Sequence, residues 1–407
     1  MTKKSDTPAI RFKGFTDTWE QRKFDEAFIE RRDKTEKENE DILLSCAING
    51  MFLNSELFGH FRGTTTIGYL RVKKNDLILS AQNLHLGNAN VNLRFEHGII
   101  SPAYKVYDLN NCNPEFVQSW VKRDDTKNFF LAATTEGASQ CRKNIEWETL
   151  GKQTISMPSL DEQNRVGSFF KQLDNLITLH QRKYDKLTNV KKSMLEKMFP
   201  KNGSNVPEIR FKGFTEAWEQ RKLGDIGKAR SGVGFPDAEQ GGVTGIPFFK
   251  VSDMNLGGNE NEMTVANNYV TAEQIAVHRW SPITELPAIF FAKVGAAVML
   301  NRKRLCRFPF LLDNNTMAYS LSSTKWDADF AKALFGTVDL TSLVQVGALP
   351  SYNAGDVESM KIYLPSLLEQ EQIGGFFKQL DDLITLHQRE LEKLKNIKKS
   401  CLENMFV

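Results

Sequence analysis

Apolar positions recur with a regular spacing along residues 156–199. Leu173, Ile177, His180, Tyr184 and Leu187 are separated alternately by four and by three residues. This spacing predicts a coiled-coil helix, because it keeps one narrow apolar seam on a single side of the helix. A helix of about 40 residues would be about 60 Å long. Its seam needs a second helix as a partner.

The chain contains this helical pattern twice. Residues 363–406 repeat residues 156–199 with most aligned positions identical, and the second seam runs from Leu380 through Ile384 to Leu394. Repetition of this kind has to be recognised before any fold is assigned. The second copy therefore supplies the partner that the first copy needs.

Both copies begin with the same helix-start signal. Ser159 and Ser366 each open a Ser-x-x-Glu capping box that directly follows a proline. Gly167 and the pair Gly374 and Gly375 lie in the first turns, where each glycine weakens a helix by about 1 kcal/mol. The sequence therefore predicts a kink near these glycines.

A short aromatic and basic leader is also repeated. Residues 8–24 read PAIRFKGFTDTWEQRKF, and residues 207–223 read PEIRFKGFTEAWEQRKL. We expect Trp19 and Trp218 to anchor each leader in a core. We also expect a pseudo-twofold internal repeat, in which the two helices run antiparallel with a globular module at either end. The predicted segments are 1–155 (first domain with its leader), 156–200 (first helix), 201–362 (second domain with its leader) and 363–407 (second helix).

The segments between leader and helix hardly resemble each other and read as mixed α and β. Strand-like runs in the first segment cover residues 42–44, 64–72, 76–80 and 99–107, and those in the second cover 246–251 and 288–300. The last of these is predicted to be a buried strand pair. Helix starts are expected at Asn113-Pro114, where proline costs no hydrogen bond, and at Asp327. The fold class is therefore α+β, with two mixed modules separated by two long antiparallel helices that form a coiled coil.

Composition narrows the class of protein. The chain has 407 residues, 41% hydrophobic and 25% charged, with a formal net charge of +3. Its five cysteines are scattered, which is typical of a reducing compartment rather than of a disulfide framework or a zinc ribbon. We find no pattern for a signal peptide or a membrane span. These features predict a soluble cytoplasmic protein.

The motifs of several enzyme classes are missing. The sequence has no phosphate-binding Gly-x-x-x-x-Gly-Lys-[Ser/Thr] loop. Residues 113–116 lack the second proline of the adenine methyltransferase motif, and Asp237 lacks the spaced acidic and lysine partners of a nuclease. His180 and His387 fall on the helical seam, where packing explains them better than catalysis does. We expect no catalytic residue, no metal site and no cofactor in this chain.

The doubled leader and helix resemble the specificity subunits of type I restriction–modification enzymes. The matching residues are 8–23 with 158–182 and 207–222 with 365–389, so the resemblance covers most of the chain. It implies two target-recognition domains that read the two halves of an asymmetric, bipartite sequence in double-stranded DNA. Two modification subunits that methylate adenine, and restriction subunits that translocate DNA, would be the partners. S-adenosylmethionine, ATP and Mg would bind to those partners, and this chain would only recognise the DNA sequence.

Candidate DNA contacts are polar or basic side chains in predicted loops, where base edges and phosphates find donors and acceptors. In the first module they are Arg62, Lys73, Lys74, Gln82, Asn83, His85, Asn88, Asn90, Arg142 and Lys143. In the second module they are Lys228, Arg230, Ser231, Arg302, Lys303, Arg304, Arg307, Ser351, Tyr352 and Asn353.

Subunit docking is expected on the helices, since the two copies are alike there. The candidate residues are Phe169, Phe170, Leu173, Ile177, Phe376, Phe377, Leu380 and Ile384. The alternative is a non-enzymatic coiled-coil scaffold whose two modules bind proteins. A self-contained methyltransferase or nuclease is disfavoured by the missing motifs.

Overall fold

The computed structural model describes residues 7–59, 63, 65–139, 142–201, 203–321, 324–345 and 349–407. The chain forms two compact units, one made of residues 1–181 with 389–407 and the other of residues 182–388. These units divide each long helix, so that each unit holds the start of one helix and the end of the other.

The first unit mixes short strands with short helices. Its strands are β1 (Glu20–Lys23), β2 (Phe28–Arg31), β3 (Leu44–Ala47), β4 (Gly50–Leu53), β5 (Leu70–Lys73), β6 (Leu77–Ser80), β7 (Ala89–Val91), β8 (His97–Ile100), β9 (Tyr104–Leu109), β10 (Thr134–Ser139), β11 (Arg142–Ile145) and β12 (Thr154–Met157). Its short helices are α1 (Phe24–Ala27), α2 (Asn54–Leu57), α3 (Pro114–Val121), α4 (Asp124–Leu131) and α5 (Trp147–Lys152), with a 3₁₀ turn at Leu84–Leu86. The first long helix, α6, spans Leu160–Lys197.

The second unit has a similar mixture. Its strands are β13 (Glu219–Lys222), β14 (Gly227–Ser231), β15 (Ile246–Phe249), β16 (Tyr269–Val270), β17 (Ala288–Ala292), β18 (Lys303–Cys306), β19 (Leu311–Leu312), β20 (Thr316–Leu321) and β21 (Lys361–Leu364). Its helices are α7 (Ala272–His278), α8 (Ala328–Thr337), α9 (Ala354–Ser359) and the second long helix, α10 (Leu367–Asn404). Its 3₁₀ turns are Leu223–Asp225, Asp237–Glu239, Val251–Asn255, Ala296–Leu300 and Leu340–Leu343.

The two variable segments share a sheet that their sequences do not reveal. In the first unit four strands are ordered β2-β9-β6-β7, and in the second the order is β14-β20-β17-β18, with every neighbouring pair antiparallel. A helix follows the second strand of each sheet along the chain, α3 after β9 and α8 after β20. The unlike segments are therefore two versions of one scaffold.

Several sequence predictions of local structure are confirmed, and others are wrong in detail. Asn113 caps α3 through its Oδ1, which accepts a hydrogen bond from the Phe116 N–H, and α8 begins directly after Asp327. The run 99–107 is two strands rather than one. The run 288–300 is a single buried strand, β17, followed by a 3₁₀ turn, so the predicted strand pair is wrong.

Each leader adds a strand beside the start of its own long helix. β1 pairs antiparallel with β12, which directly precedes α6, and β13 pairs in the same way with β21, which precedes α10. Trp19 and Trp218 are buried, as predicted. The repeated leader and the repeated helix are thus joined in one framework that occurs in both units.

The long helices follow the predicted seam without a break. The seam positions from Leu173 to Met198 and from Leu380 to Met405 are buried or half-buried, while the positions between them are mostly exposed. Helices α6 and α10 are each one continuous α-helix of 38 residues, so the glycines do not interrupt either helix.

Within each unit the two helix segments run antiparallel. In the first unit Lys398 Nζ donates to Asp174 Oδ1 at 2.5 Å, and the rings of Phe170 and Phe406 lie 5.9 Å apart. As the residue number falls along α6, the number of the contacted residue rises along α10. Lys191 with Asp381 and Phe199 with Phe377 show the same order in the second unit.

The end of each repeat fills the core of the other unit. Phe406 is buried with Trp19, Phe116 and Phe170 in the first unit. Phe199, which holds the same place in the first repeat, is buried with Trp218, Phe330 and Phe377 in the second unit. The first core is therefore completed by a residue that is distant along the chain, whereas the second is completed by a residue that shortly precedes its own leader.

Candidate nucleic-acid interface

A buried ion pair fastens each leader to its long helix. Arg11 donates through Nε and Nη2 to the two carboxylate oxygens of Glu162, both at 2.7 Å. Arg210 forms the same pair with Glu369, at 2.6 and 2.7 Å. The predicted capping box is therefore only half formed. Each helix-start serine accepts from the backbone N–H three residues on, but the glutamate binds the leader's arginine instead of the helix end.

A second repeated contact joins each module to its long helix. The backbone N–H of Asn113 donates to Gln163 Oε1 at 2.9 Å, and that of Asp327 donates to Gln370 Oε1 at 3.0 Å. Both glutamines are buried. The first turn of a helix in each module is thereby fixed against the framework, which gives both modules the same attachment.

The helical glycines explain how this attachment fits. A Cβ on Gly167 would lie 2.5 Å from Asn113 Oδ1 and 2.8 Å from the Phe116 nitrogen. A Cβ on Gly374 would lie 2.2 Å from Asp327 Oδ1 and 2.6 Å from the Phe330 nitrogen. Side chains do not fit at such distances, so glycine at these two positions lets the capped helix of each module approach. The two glycines therefore permit a close contact, a role that helix propensity alone does not reveal.

The predicted polar loop of the first module has an exposed part. Gln82 and Asn83 are exposed, and His85 is half-buried on the 3₁₀ turn between β6 and β7. Burial, together with the nearby Lys143 cation, lowers the pKa of His85, which favours the neutral ring. Its Nδ1 is buried and has no hydrogen-bond partner within the part of the chain that the structure describes. These side chains stay candidates for base contact.

Asn88 and Asn90 are structural instead. Both are buried, and Asn90 Nδ2 donates to the Ala47 carbonyl at 2.7 Å, while Asn88 Nδ2 donates to the Cys46 carbonyl at 3.3 Å. An amide that is satisfied inside the core cannot also pair with a base edge. Sequence composition cannot separate such residues from exposed ones in the same loop.

The remaining candidates of the first module divide by their surroundings. Lys73 and Lys74 are both exposed, and Lys74 forms an ion pair with Glu96. Lys143 is half-buried on β11. Arg62, like the side chain of Arg142, lies outside the described residues.

The basic cluster of the second module is largely engaged within its own unit. Arg307 pairs with Glu262 at 2.9 Å and with Asp329 at 2.6 Å, and these carboxylates raise its pKa. Arg304 Nε donates to the Asn259 carbonyl at 2.6 Å, and burial lowers the pKa of Arg304. Arg304 lies at the centre of the predicted cluster, but this contact makes its guanidinium a structural donor.

Two neighbours in that cluster behave differently from each other. Lys303 donates to the Val338 carbonyl, and burial lowers its pKa to about 8. Arg302 is exposed and donates to Asn255 Oδ1 at 2.7 Å. Lys303 is the first residue of β18 and is engaged within its unit, whereas Arg302 lies before the strand, so that Arg302 stays a candidate contact while Lys303 serves the fold.

The other candidates of the second module show the same division. Arg230 donates to the carbonyls of Ser281 and Pro282, whereas Lys228 and Ser231 are exposed on the same strand. Tyr352 is buried and donates from its hydroxyl to the Ala292 carbonyl at 2.6 Å.

The residues that flank Tyr352 have local roles. Ser351 is half-buried, and its backbone bridges to Val294 and to Gln345. Asn353 is exposed and caps α9 by accepting from the Asp356 N–H at 3.0 Å. The segment therefore packs against the β17–β18 connection rather than forming a free polar loop.

Half of the predicted docking residues lie in the cores. Phe170, Leu173, Phe377 and Leu380 are buried within their units, so their apolar groups are not available to another subunit. Phe169 and Phe376 are partly buried against leader phenylalanines, and Ile177 and Ile384 are half-buried on the seam. The exposed apolar side chains of the long helices lie beside these positions.

Large exposed apolar side chains occur at identical places in the two repeats. They are Leu176 and Leu179 on α6, and Leu383 and Leu386 on α10. Residues three apart are neighbours on a helix surface, so each pair forms one small apolar patch beside the seam. We call these four residues the paired leucines. Their identity in both repeats is visible in the sequence, but residue type alone does not separate them from the seam.

Two kinds of feature are absent from the part of the chain that the structure describes. Among these residues no group of three or more His, Cys, Asp or Glu side chains could hold a metal ion. No helix among them is long and apolar enough to cross a membrane.

Comparisons with known proteins agree on one family. A family model, described as the type I restriction modification DNA specificity domain, matches residues 1–189 and again residues 215–396. The MjaVIII specificity subunit of Methanocaldococcus jannaschii is 22% identical over 373 residues, which cover 81% of this chain and 78% of that relative. The putative MjaX specificity subunit of the same organism is 25% identical over 372 residues, covering 86% and 77%.

Solved structures show a similar fold. The type I restriction–modification S subunit from M. genitalium aligns with a TM-score of 0.62 at 14% identity, and the alignment covers 98% of this chain and 99% of that one. A chain from a study of complex assembly and conformational transition in a type I restriction–modification system aligns with a TM-score of 0.51 at 14% identity, covering 95% and 97%.

Proposed function

Because the chain belongs to the family of type I restriction–modification DNA specificity proteins, we propose that each of its two units reads one part of a two-part DNA target. Chemistry is the task of other subunits in such a system, and this chain is not an enzyme but the subunit that recognises the DNA sequence. The alternative, a scaffold that binds proteins, is not favoured, since the curated relatives that this chain matches are specificity subunits.

The observation that carries the proposal is one scaffold with two different surfaces. The leader, its ion pair, its glutamine contact and the four-stranded sheet occur in both units. The side chains on the loops of the two sheets differ. A common scaffold with unlike surfaces suits a protein that reads two different short sequences with one type of module.

The repeated parts suit a partner that binds twice. The paired leucines are exposed in both repeats, and packing inside the units does not explain why they are identical. Their apolar surface would be covered by one modification subunit at each repeat, so that two such subunits join one chain. We propose that restriction subunits add to this complex, and that S-adenosylmethionine, ATP and Mg are bound by the partners.

The test uses the complete methyltransferase, assembled from this chain and the modification subunit of the same cells. Methylated adenines are mapped in genomic DNA, and the complex is then footprinted on the motif obtained. We expect a motif of two short parts separated by unread bases and two protected patches. A motif of one continuous part, or no protection on any mapped sequence, would contradict the proposal.

A further inference from the structure

The connection between the third and fourth strands of the sheet has the same architecture in both units. In the first unit β6 leads through the 3₁₀ turn Leu84–Leu86 to β7, and in the second β17 leads through Ala296–Leu300 to β18. The residue that ends each turn, Gly87 or Asn301, has a left-handed backbone, with φ of +86° and +50°. We call these two segments the turn loops.

Each turn loop buries one side chain and exposes apolar side chains next to it. Leu84 is 0% exposed and Val298 is 2% exposed, and both belong to the main core of their unit. The two residues after the buried one are His85 and Leu86 in the first unit, and Met299 and Leu300 in the second. Leu86 is 49% exposed, Met299 59% and Leu300 58%.

The two loops are held rigidly by contacts to their surroundings. In the first unit the Ala81 N–H donates to the Ala103 carbonyl at 3.0 Å. In the second unit the Gly295 N–H donates to the Pro350 carbonyl at 2.9 Å. Each loop has a buried side chain, a left-handed residue at the end of its turn and a backbone hydrogen bond at its start. Together these three features fix the direction of the exposed side chains before a partner binds.

Basic residues accompany both loops, which favours a polyanionic partner. Lys143 lies close enough to His85 to lower its pKa. Arg302 is exposed and is separated from Met299 and Leu300 only by the left-handed Asn301. Exposed leucine and methionine beside cations suit the grooves of DNA, where apolar side chains contact thymine methyl groups or enter between base steps while cations hold phosphates.

We infer that the turn loops are the elements that set which bases each unit reads, His85 and Leu86 in one unit and Met299 and Leu300 in the other. The inference rests on the proposed function and goes beyond it by assigning sequence recognition to one equivalent position in each module. The outward pair is apolar in the second unit, whereas the first unit combines the exposed Leu86 with the half-buried imidazole of His85. The two loops therefore select different bases from the same place on the scaffold.

The experiment compares four forms of the complete methyltransferase: wild type, the loop variants M299A/L300A and H85A/L86A, and V277A as the matched control for M299A/L300A. Val277 is 76% exposed in the same unit but lies on α7, away from the turn loop. Binding to the mapped target, to targets altered in one part only, and to unrelated DNA is measured at one salt concentration. Because Met299, Leu300 and Val277 are all exposed, the melting temperatures of M299A/L300A, V277A and wild type should agree.

M299A/L300A should bind the mapped target about tenfold more weakly, as the loss of one base-pair readout would cause, while V277A binds like wild type. The variant should also stop distinguishing targets altered in one of the two parts, and its binding to unrelated DNA should not change. H85A/L86A should lose discrimination in the other part.

Two results would overturn the inference. One is unchanged affinity and unchanged discrimination in both loop variants while wild type remains sequence-specific. The other is an equal loss in V277A, since the effect would then not belong to the loop. Failure of the proposed function is distinct from both, because the wild-type complex itself would then show no preference for any mapped sequence.

Discussion

Gly374 faces Asp327 so closely that a β-carbon on the glycine would lie 2.2 Å from the Asp327 Oδ1 atom. The adjacent Gly375 has no atom within 4 Å of its β-carbon position. The two neighbouring glycines of this helix therefore have different structural effects. One permits a close approach, and the other only lowers the helix propensity.

This contrast predicts opposite effects for two single substitutions. G374A should lower the free energy of unfolding by about 2 kcal/mol, because the methyl group pushes the cap of α8 away from α10. G375A should raise it by up to about 1 kcal/mol, since alanine reduces the freedom of the unfolded chain. Urea unfolding of the full chain, followed by the fluorescence of its tryptophans, measures both. Similar changes in the two variants would contradict the assigned contact.

The ion pair between Arg210 and Glu369 should behave as a buried pair. R210M leaves the Glu369 carboxylate buried without its partner and should destabilise the second unit by about 3 kcal/mol. The double variant R210M/E369M removes both charges and should recover much of that loss. Thermal unfolding of the two variants is the measurement. The pair would be unimportant if R210M melted like wild type.

Lys303 should make stability depend on pH above neutrality. Burial lowers its pKa to about 8 in the folded chain, whereas an unfolded lysine titrates near about 10.4. Between these values the unfolded chain binds more protons, so the free energy of unfolding rises with pH there and is unaffected by this group below about pH 8.

K303M removes this contribution. The stability of wild type relative to K303M should therefore increase between about pH 7.5 and about pH 9.5, as measured by urea midpoints at both values. A difference that stays constant with pH would show that the Lys303 amine is solvated in the folded chain.

The paired leucines should control how many modification subunits bind. L176E/L179E should reduce the complex from two modification subunits to one, and adding L383E/L386E should remove the second. The substituted side chains are exposed, so the folded chain is expected to keep its melting temperature. The mass of the purified complex, determined by light scattering, gives the subunit count.

A control on the same helices separates docking from a general effect of added charge. T178E places a new carboxylate on an exposed position between Leu176 and Leu179, and two modification subunits should still bind. Two subunits on the quadruple leucine variant, or fewer than two on T178E, would count against docking through the paired leucines.

The sequence was sufficient for the framework because repetition and periodicity act locally. The seam from Leu173 onward, the burial of Trp19 and the cap at Asn113 each follow from spacing or from one residue type, and the structure confirms them. The role of Gly167 could not be predicted because propensity describes an isolated helix, whereas this glycine meets a different part of the chain. The shared four-stranded sheet was equally hidden, since many unlike apolar residues fill the same strand positions.

The candidate DNA contacts were less predictable for a related reason. Asn83 and Asn90 are the same residue type in one loop, yet the first is exposed and the second is satisfied by core carbonyls. Arg304, which lies on β18, is half-buried and donates to a backbone carbonyl, whereas Arg302, just before the strand, is exposed. Which side of a loop or strand faces solvent depends on the tertiary register, and residue type does not report it.

The burial of Phe406 in the first unit has a consequence for the order of events during synthesis. The second unit is continuous in sequence, so all of its residues are made before Phe406. The first unit, although most of it is made first, lacks Phe406 until roughly 10 to 40 seconds after its own residue 181 is made. The unit that is made first is therefore the one that must wait to close its core.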